Sequence, residues 1–252
     1  MRYTQAPDRR GELLRRISEA GYVSSTEAAI ALGVSEMTIR RDLRQLAVQG
    51  LVNRVAGGAS AVPPGAGAPF EERRDAATGE KAAVARAAAA LVPPGSVVAL
   101  DAGTTVAALA AMLPGGVTVV THSVPVITAC TARDDIDLIA LGGAYHVPTR
   151  SFTGPITRAS LDDLAVDVAM LSATAAGPAG VYSANASDAD TKRAMARIAG
   201  RVVLLLDHGK IGARAPMRFL EFAEVDVVVT DAGASTDQLA LLRSHCGEVV
   251  VA

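Results

Sequence analysis

The sequence predicts an α/β protein in two parts, a small helix-turn-helix module with a β-wing and a larger, mostly parallel α/β domain. Apolar residues recur at helical spacing over residues 1–60, and an uncharged run of Pro, Gly and Ala lies between Ser60 and Phe70. After this run, apolar β-branched segments alternate with helix-sized segments. We therefore expect two domains, 1–60 and 77–252, joined by a linker over 61–76.

Composition narrows the classes of protein to which the chain can belong. Its 252 residues, 50% hydrophobic and 20% charged, are typical of a folded globular protein and exclude a disordered or collagen-like chain. Cys130 and Cys246 lie in apolar surroundings without metal-ligand or CxxC spacing, so we expect buried free thiols. The four histidines lack zinc-like spacing, and we expect neither a metal nor a cofactor. The N-terminus lacks a secretory pattern and no apolar stretch could cross a bilayer, so we expect a cytoplasmic protein without a membrane partner.

Three short helices are predicted in the first sixty residues. Ser24 followed by Glu27 is a capping-box pattern, and Gly33 is suited to the tight turn after the second helix. Ser35 can cap the third helix, which we expect to extend to Gln49. The apolar positions that predict these helices are Leu13, Leu14, Ile17, Ala28, Ala29, Leu32, Ile39, Leu43 and Leu46.

The charge and layout of this module favour DNA binding. Residues 1–60 carry a net charge of +3, whereas residues 61–252 carry −5. A helix, a turn with Gly and an Arg-rich helix form the layout in which the second helix enters the major groove. The segment 51–58 alternates like a β-wing, and its Arg54 is placed to reach the minor groove or a phosphate. A three-helix module with merely solvated arginines is the alternative. The residues expected to face DNA from the helix are Ser35, Glu36, Thr38, Arg40, Arg41 and Arg44.

The second domain is predicted to contain a mostly parallel sheet. Its strand candidates are uniformly apolar and are separated by helix-sized segments, which indicates strands covered on both faces. These candidates are residues 97–100, 117–120, 136–141, 166–171, 202–206, 225–229 and 249–251.

Polar residues follow these strands where a ligand site is expected. In open parallel sheets, ligands bind outside the carboxyl ends of the strands. After Asp101, a Gly and two Thr at a strand-to-helix turn offer backbone N–H groups and hydroxyls that suit a phosphate or carboxylate. Ordinary turn and capping chemistry is the alternative for each loop. The residues predicted to contact a small anion here are Asp101, Gly103, Thr104, Thr105, Thr121, His122, Ser123, Gly142, Gly143 and Asp207.

Lysine usage points to the same site. The 24 cations comprise 21 Arg and three Lys, and all three lysines lie outside the DNA-binding module. A compact ammonium can reach a phosphate oxygen as a point charge in a way that a guanidinium cannot. We therefore add Lys81, Lys192 and Lys210 to the predicted anion site. Three surface lysines retained by chance are the alternative.

Several motifs match a known signature: Val34-Ser35-Glu36-Met37-Thr38-Ile39-Arg40-Arg41-Asp42-Leu43, Leu46, Gly50-Leu51, Gly57-Gly58 and Pro69-Phe70-Glu71-Glu72-Arg73. The chain thereby resembles the DeoR-type bacterial transcriptional regulators, and the resemblance continues almost to the C-terminus. It implies a winged helix-turn-helix, usually repressing, joined to a sensor domain similar to ribose-phosphate isomerases, sugar-phosphate deaminases and CoA-transferase-like folds. Ala56 stands where the family often has His, so different wing contacts are expected.

The resemblance also implies an effector, a phosphorylated sugar or related metabolite. His122 stands where the family usually has Asn, and residues 171–176 replace a Gly-Ala-Asp-Gly run. The second departure removes an acid from the pocket rim, which leaves an atypical effector open. The motifs that match the family in this domain are Glu80-Lys81, Asp101-x-Gly103-Thr104-Thr105, Lys192-Arg193 and Asp207-x-x-Lys210-x-Gly212.

The sequence thus predicts a repressor that binds double-stranded operator DNA as a homo-oligomer, a dimer or tetramer, and is released by its effector. A corepressor of opposite sign remains open. The alternative from another class is a sugar-phosphate isomerase or deaminase with a DNA-binding appendage, for which Asp101, Asp207 and His208 are the candidate proton-transfer groups. We expect no turnover, because the appendage explains binding without catalysis and fold resemblance does not carry activity.

Overall fold

A computed structural model of the chain describes residues 6–48, 51–55, 57–61 and 68–252. The expectations for the extreme N-terminus, the end of the third helix, the Ala56 position and the linker run lie wholly or partly outside these residues. The positions outside are 1–5, Gln49, Gly50, Ala56 and 62–67.

The N-terminal part contains the three predicted helices and the wing. Its elements in chain order are α1 (Ala6–Ala20), β1 (Tyr22–Ser24), α2 (Ser25–Leu32), α3 (Glu36–Val48), β2 (Asn53–Val55) and β3 (Gly58–Ser60). The three strands form an antiparallel sheet in the order β1-β3-β2. The sequence did not predict β1, because three residues are too few to show an alternation.

Local cap chemistry sets the turns of this part. The Ser24 Oγ accepts a hydrogen bond from the Glu27 N–H at 3.4 Å, which is one half of the predicted capping box. Gly33 ends α2 in the left-handed region with φ 66°. The Ser35 Oγ accepts from the Thr38 N–H at 3.2 Å. The apolar faces meet in a core that contains Leu13, Ile17, Leu32, Ile39, Leu43, Leu46 and Val52.

The C-terminal part is an α/β unit whose central sheet is flanked by helices. Its helices are α4 (Phe70–Asp75), α5 (Thr78–Ala89), α6 (Thr104–Ala110), α7 (Val124–Thr131), α8 (Pro155–Asp162), α9 (Ala186–Arg197) and α10 (Thr236–His245). Its strands are β4 (Val97–Leu100), β5 (Val117–Thr121), β6 (Ile136–Ala140), β7 (Ala144–His146), β8 (Ser151–Thr153), β9 (Val166–Ser172), β10 (Ala175–Gly177), β11 (Gly180–Ser183), β12 (Ala199–Leu206), β13 (Met217–Leu220), β14 (Val227–Thr230) and β15 (Glu248–Val251). Short 3-10 turns cover Val147–Thr149, His208–Lys210 and Phe222–Glu224.

Seven of these strands form one parallel sheet in the order β15-β14-β12-β9-β4-β5-β6, which confirms the predicted fold class. Helices α5, α6 and α7 pack on one face, and α8, α9 and α10 pack on the other. Both faces are therefore buried, which explains the uniformly apolar strands. Strand β14 begins two residues later than predicted, because the Phe222–Glu224 turn occupies the preceding chain.

Two small antiparallel sheets were not predicted, since their strands have only three or four residues. One is the β7–β8 hairpin, and the other has the order β10-β11-β13. Cys130 is buried as expected, but Cys246 is only half-buried because it follows α10 beside the edge strand β15. In the part of the chain that the structure describes, no helix has the length and apolar character to span a membrane.

Candidate functional site

The outward face of α3 presents cations to solvent. Ile39 and Leu43 are buried against the core, whereas Arg41 and Arg44 project from the opposite side. The Arg40 guanidinium forms an ion pair with Glu36 at 2.5 Å one turn earlier. This face of α3 is therefore strongly basic, as the sequence predicts for a helix that meets DNA.

The wing lies directly beside this helix. The Arg54 Nη1 on β2 donates to the carbonyl oxygen of Arg40 at 3.3 Å, which places the wing and the helix side by side. Ser35 and Thr38 are engaged with each other, with 2.8 Å between their hydroxyl oxygens. Among the predicted DNA-facing residues, the exposed cations Arg41, Arg44 and Arg54 are the ones whose charge is most open to a partner.

Sequence reasoning missed one residue on this face. Met37 is 80% exposed, and it lies one turn before Arg41 and two turns before Arg44 on the same side of α3. The spacing i, i+4, i+7 was the available signal, but only polar residues were considered as DNA contacts. A large apolar side chain in such a position offers a surface for the methyl group of thymine.

A cavity of about 270 Å³ lies at the carboxyl ends of the central strands. Strands β4, β5 and β6 lie on one side of it and strands β9, β12, β14 and β15 on the other, so it marks the point where the strand order reverses. Ligands of open parallel sheets bind at this switch point. The loop after β4, the loop after β9 and the β7–β8 hairpin line it together with α5 and α9. Its charged lining residues are Arg73, Lys81, Lys192, Lys210, Asp188 and Asp207.

A buried ion pair forms the floor of this cavity. The Lys192 ammonium contacts the Asp101 carboxylate, and both side chains are almost fully buried. The Asp101 carboxylate also accepts from the backbone N–H groups of Gly103 and Ser172, each at 2.7 Å. Burial alone would raise the pKa of Asp101, but Lys192 and these N–H donors hold it below its ordinary value. Burial alone would lower the pKa of Lys192, but Asp101 and Asp188 raise it. Both side chains are therefore charged, and each neutralises the charge of the other.

Two further cations, Lys81 and Arg73, line a part of the cavity that we call the cationic corner. The Lys81 ammonium donates to the backbone carbonyls of Arg73 and Ala76. The Arg73 Nε donates to the carbonyl of Ala68 at 3.1 Å, and its guanidinium lies 5.8 Å from the Phe70 ring centroid. Among the described residues, neither Lys81 nor Arg73 has a carboxylate within ion-pair distance. The pKa of each is lowered, chiefly by burial.

Lys210 completes this corner. Its ammonium lies 2.9 Å from an Asp207 carboxylate oxygen, and repulsion from Lys210 contributes to the lowered pKa of Lys81. The corner therefore holds three cations and one carboxylate in direct contact with them, while the Asp101 and Asp188 carboxylates act on Arg73 from farther away. A surplus of positive charge is left in a partly buried space. Such a corner is suited to an anion, because the anion would restore the compensation that burial removes.

The structure brings about half of the predicted anion-site residues to the cavity. Those that line it are Lys81, Gly103, Thr104, Lys192, Asp207 and Lys210. Asp101 lies beneath it, in the ion pair with Lys192. The remaining residues lie away from the cavity lining: Thr105, Thr121, His122 and Ser123 are buried, whereas Gly142 is exposed and Gly143 is half-buried.

Specific packing contacts account for several of these placements. The Thr121 Oγ1 donates to the Leu100 carbonyl at 2.8 Å and holds β5 to β4. The His122 ring is completely buried, with its Nδ1 2.8 Å from the Phe152 carbonyl oxygen. The Thr157 Oγ1 donates to the Gly142 carbonyl at 2.7 Å. These contacts hold together the segments around the cavity. Contacts between these residues and an effector stay predictions.

Other lining residues were not predicted. Arg73 belongs to the Pro69-to-Arg73 motif, so its motif membership was an available signal. His146 and Thr149 reach the cavity from the β7–β8 hairpin, and Asn185 and Asp188 reach it from the start of α9. No local pattern in the sequence marks these four, because only the folded sheet brings them to the carboxyl ends of β4 and β9.

Comparison with protein families matches both parts of the chain. A DeoR-like helix-turn-helix domain matches residues 9–64, and the DeoR C terminal sensor domain matches residues 76–232. The glycerol-3-phosphate regulon repressor of Escherichia coli K12 is 30% identical over 248 residues, 97% of each chain. The regulator YgbI of the same strain is 35% identical over 229 residues, 90% of each chain. The regulator IolR of Bacillus subtilis is 31% identical over 237 residues, 93% of this chain and 94% of its own.

Solved structures give more distant similarities. The sorbitol operon regulator SorC of Klebsiella pneumoniae aligns with 95% of this chain and 96% of its own at 14% identity, with a TM-score of 0.37. Ribose 5-phosphate isomerase A of Methanocaldococcus jannaschii aligns with 52% of each chain at 20% identity, with a TM-score of 0.37.

Proposed function

Because the chain belongs to the DeoR family of DNA-binding transcriptional regulators, we propose that it represses genes of sugar or related carbon metabolism and leaves its operator when a phosphorylated sugar or related metabolite fills the cavity. The family and its named relatives are transcriptional regulators, so the isomerase or deaminase alternative is not favoured. The engagement of Asp101 by Lys192 points the same way, since a paired and fully buried carboxylate is poorly placed to move a substrate proton.

The observation that carries the effector proposal is the cationic corner of the cavity. Among the described residues, Lys81 and Arg73 have carbonyl partners but no carboxylate within ion-pair distance, and Lys210 adds a third positive charge. A phosphate group would receive charge-assisted hydrogen bonds from these residues. The names of two relatives support a carbon-source metabolite, since one represses a glycerol-3-phosphate regulon and another is named for an aga operon.

The rest of the cavity suits the hydroxyl-bearing part of a small metabolite. Asp188 and Thr149 face it, and both can bond to hydroxyl groups. Its volume of about 270 Å³ lies at the lower end of the range for small-molecule sites. We infer a compact phosphorylated metabolite with several hydroxyls, held with its phosphate near Lys81 and its hydroxyls toward α9.

On the DNA side, we propose that α3 enters the major groove. Arg41 and Arg44 would read guanine edges or hold phosphates, and Met37 would contact the methyl group of thymine. Arg40 and Arg54 lie together at the junction of helix and wing, where they would follow the DNA backbone. In this proposal, the polar contacts of Ser35, Glu36 and Thr38 mainly shape the start of the helix.

We propose a cytoplasmic homo-oligomer, a dimer or tetramer, whose symmetry matches repeated half-sites in the operator. Residues 1–60 would contact DNA, 61–76 would link the two parts and contribute Arg73 to the effector site, and 77–252 would supply the rest of the sensor and associate.

A thermal-shift panel tests the effector proposal. The probes are glycerol 3-phosphate, ribose 5-phosphate and glucose 6-phosphate, each paired with its unphosphorylated parent. A phosphate at about 100 times its dissociation constant should add roughly 2.7 kcal/mol, which raises Tm by roughly 5 to 10 °C at this chain length. The parent compound should leave Tm unchanged, because it cannot occupy the cationic corner.

Two variants make this test specific for the cavity. Lys81→Met should abolish the shift, because it removes a buried cation and keeps a side chain of similar length. Arg86→Met is the matched control, since Arg86 lies exposed on the same helix. Equal shifts with parents and phosphates, or a shift that survives Lys81→Met, would contradict the proposal. A stabilising phosphate that tightens operator binding instead of releasing it would make the compound a corepressor.

A further inference from the structure

Described residues of the DNA-binding part and of the sensor part form a compact contact beside the wing. The Arg214 guanidinium lies over the Tyr22 ring, 4.0 Å from its centroid. The Ser60 Oγ donates to the carbonyl oxygen of Arg214 at 2.8 Å. Tyr22 and Ser60 are opposite each other in the β1–β3 pair, so Arg214 contacts both of these strands at one position.

The backbones of the two parts also approach closely here. A Cβ atom at Gly21 would lie 2.1 Å from the carbonyl oxygen of Gly212, and Gly21 has φ 71°. Any larger residue would therefore force the two parts apart. Ser60 is completely buried by the contact and its surroundings. The backbone at Gly21, next to the wing sheet, thus packs directly against the backbone of residues 212–214, with no side chain between them.

This contact is connected to the cavity by a short, well-supported stretch of chain, which we call the connecting segment (residues 207–214). Asp207 and Lys210 at its start line the cavity. The Gly212 N–H donates to the Ala176 carbonyl at 2.7 Å, and the Gln238 amide donates to the carbonyls of His208 at 2.9 Å and Ile211 at 3.2 Å. These hydrogen bonds give the backbone between Lys210 and Arg214 a defined path from the cavity to the wing.

The Tyr22 ring is the main partner of the Arg214 charge. The Arg214 Nε is buried without a hydrogen-bond partner, and the described residues offer Arg214 no ion pair. A guanidinium over a tyrosine face is attracted by the ring quadrupole, and this attraction depends on the aromatic face rather than on the hydroxyl. The same ring borders the wing turn, because a Cβ at Gly58 would lie 3.0 Å from it. Arg214 therefore contacts a side chain that packs under the wing.

We propose that Tyr22 and Arg214 are positioning residues, through which a change at Lys210 in the cavity alters the affinity of the wing and α3 for the operator. The ligand that would cause this change is the one in the proposed function, but the connection itself is a property of the chain. An anion that draws Lys210 away from Asp207 would shift the connecting segment, and Arg214 would then move the wing sheet that carries Arg54.

A double-mutant cycle without any ligand tests this connection. The DNA is a fragment selected by the wild-type protein from a random pool, and the full-length chain is used throughout. Lys210→Ala releases Asp207 and so perturbs the start of the connecting segment. Its effect on the operator Kd is measured by fluorescence anisotropy in four backgrounds: wild type, Tyr22→Phe, Tyr22→Leu and Arg214→Ala.

We expect Lys210→Ala to change the operator Kd by roughly fivefold or more in the wild-type and Tyr22→Phe backgrounds. Tyr22→Phe keeps the aromatic face and serves as the matched control. The change should fall below about twofold in the Tyr22→Leu and Arg214→Ala backgrounds, because the contact with the wing is lost. Arg214→Ala leaves the DNA-binding part unaltered in sequence, so its result does not depend on how well that part tolerates a change at Tyr22.

An equal effect of Lys210→Ala in all four backgrounds, or no effect in any, would overturn the proposal. The cycle contains no effector, so its failure would leave the phosphate site untouched. A thermal-shift panel without a hit would, in turn, leave this connection standing if the cycle is non-additive.

Discussion

The recognition helix and the cavity both concentrate cations, but they expose them to water very differently. Arg41 and Arg44 on α3 are solvent-exposed, whereas Lys81 and Lys192 in the cavity are buried. Exposed charges are screened by salt and suit a long polyanion whose counterions they replace. Buried charges are screened little and suit a small ligand that fits the space.

This difference in exposure also means that the two sets of cations contribute differently to folding stability. An exposed arginine contributes little to folding, because water solvates it in both states. A buried lysine must have a partner, and Lys192 has one in Asp101. Mutations in the two sites should therefore give opposite signatures, a loss of DNA affinity at α3 and a loss of folding stability on the cavity floor.

The largest expected effect is on the cavity floor. Lys192→Ala should lower the free energy of unfolding by about 3 to 5 kcal/mol, because it leaves the Asp101 carboxylate buried without its partner. Arg193→Ala, the next residue on the same helix but half-exposed, should change it by less than about 0.5 kcal/mol. Urea denaturation followed by circular dichroism measures both. Similar small losses for the two variants would mean that the floor is hydrated in solution.

A smaller effect is expected on α3. Arg41→Ala should weaken operator binding by about 1 to 3 kcal/mol if the side chain reads a base, with no change in Tm. If Arg41 holds a phosphate instead, the dependence of log K on log salt should lose about one unit of slope. Arg15→Ala is the control, since Arg15 is an exposed arginine on α1 paired with Glu12 and Glu19. Unchanged operator affinity for Arg41→Ala would remove α3 from the DNA interface.

The smallest expected effect concerns Met37. Replacing single thymines of the operator by deoxyuridine removes one methyl group, and at the contacted position this should cost about 0.8 kcal/mol. Met37→Ala should lose most of this discrimination, whereas Arg44→Ala should keep it. Titrations with the two DNAs measure the difference. A uridine penalty that is the same in wild type and Met37→Ala would show that the methyl group is read by another residue.

Much of the fold could be predicted because its signals are local in the chain. The apolar strands β4 and β12, the Ser24 cap and the Gly33 turn each depend on residues within a few positions. The small strands β7, β8 and β10 could not be predicted, because their pairing depends on partners rather than on their own three residues. The division into residues 1–60, 61–76 and 77–252 stays a prediction.

Some residues of the candidate site could likewise be predicted from the sequence, and others could not. Lys81, Lys192 and Lys210 stood out in the sequence by residue type, and the parallel sheet brings all three to one cavity. His122 also follows a strand, but the β7–β8 hairpin covers it, with the Phe152 N–H donating to the His122 carbonyl at 2.9 Å. Thr121 ends the same strand, and its hydroxyl is used by the Leu100 carbonyl. A polar residue at a strand end is open to a ligand only when no other segment packs over it.

The sequence by itself determined the two-part architecture, the basic helix and the set of residue types available for an anion. The reason is that periodicity, capping and composition depend only on the order of residues along the chain. Only the tertiary structure decided which of those residues share a cavity, which are paired and which are covered. It also decided that Arg214 would lie on Tyr22, 192 positions away in the chain. Burial and charge compensation depend on every segment that packs around a group, and chain neighbours alone do not specify them.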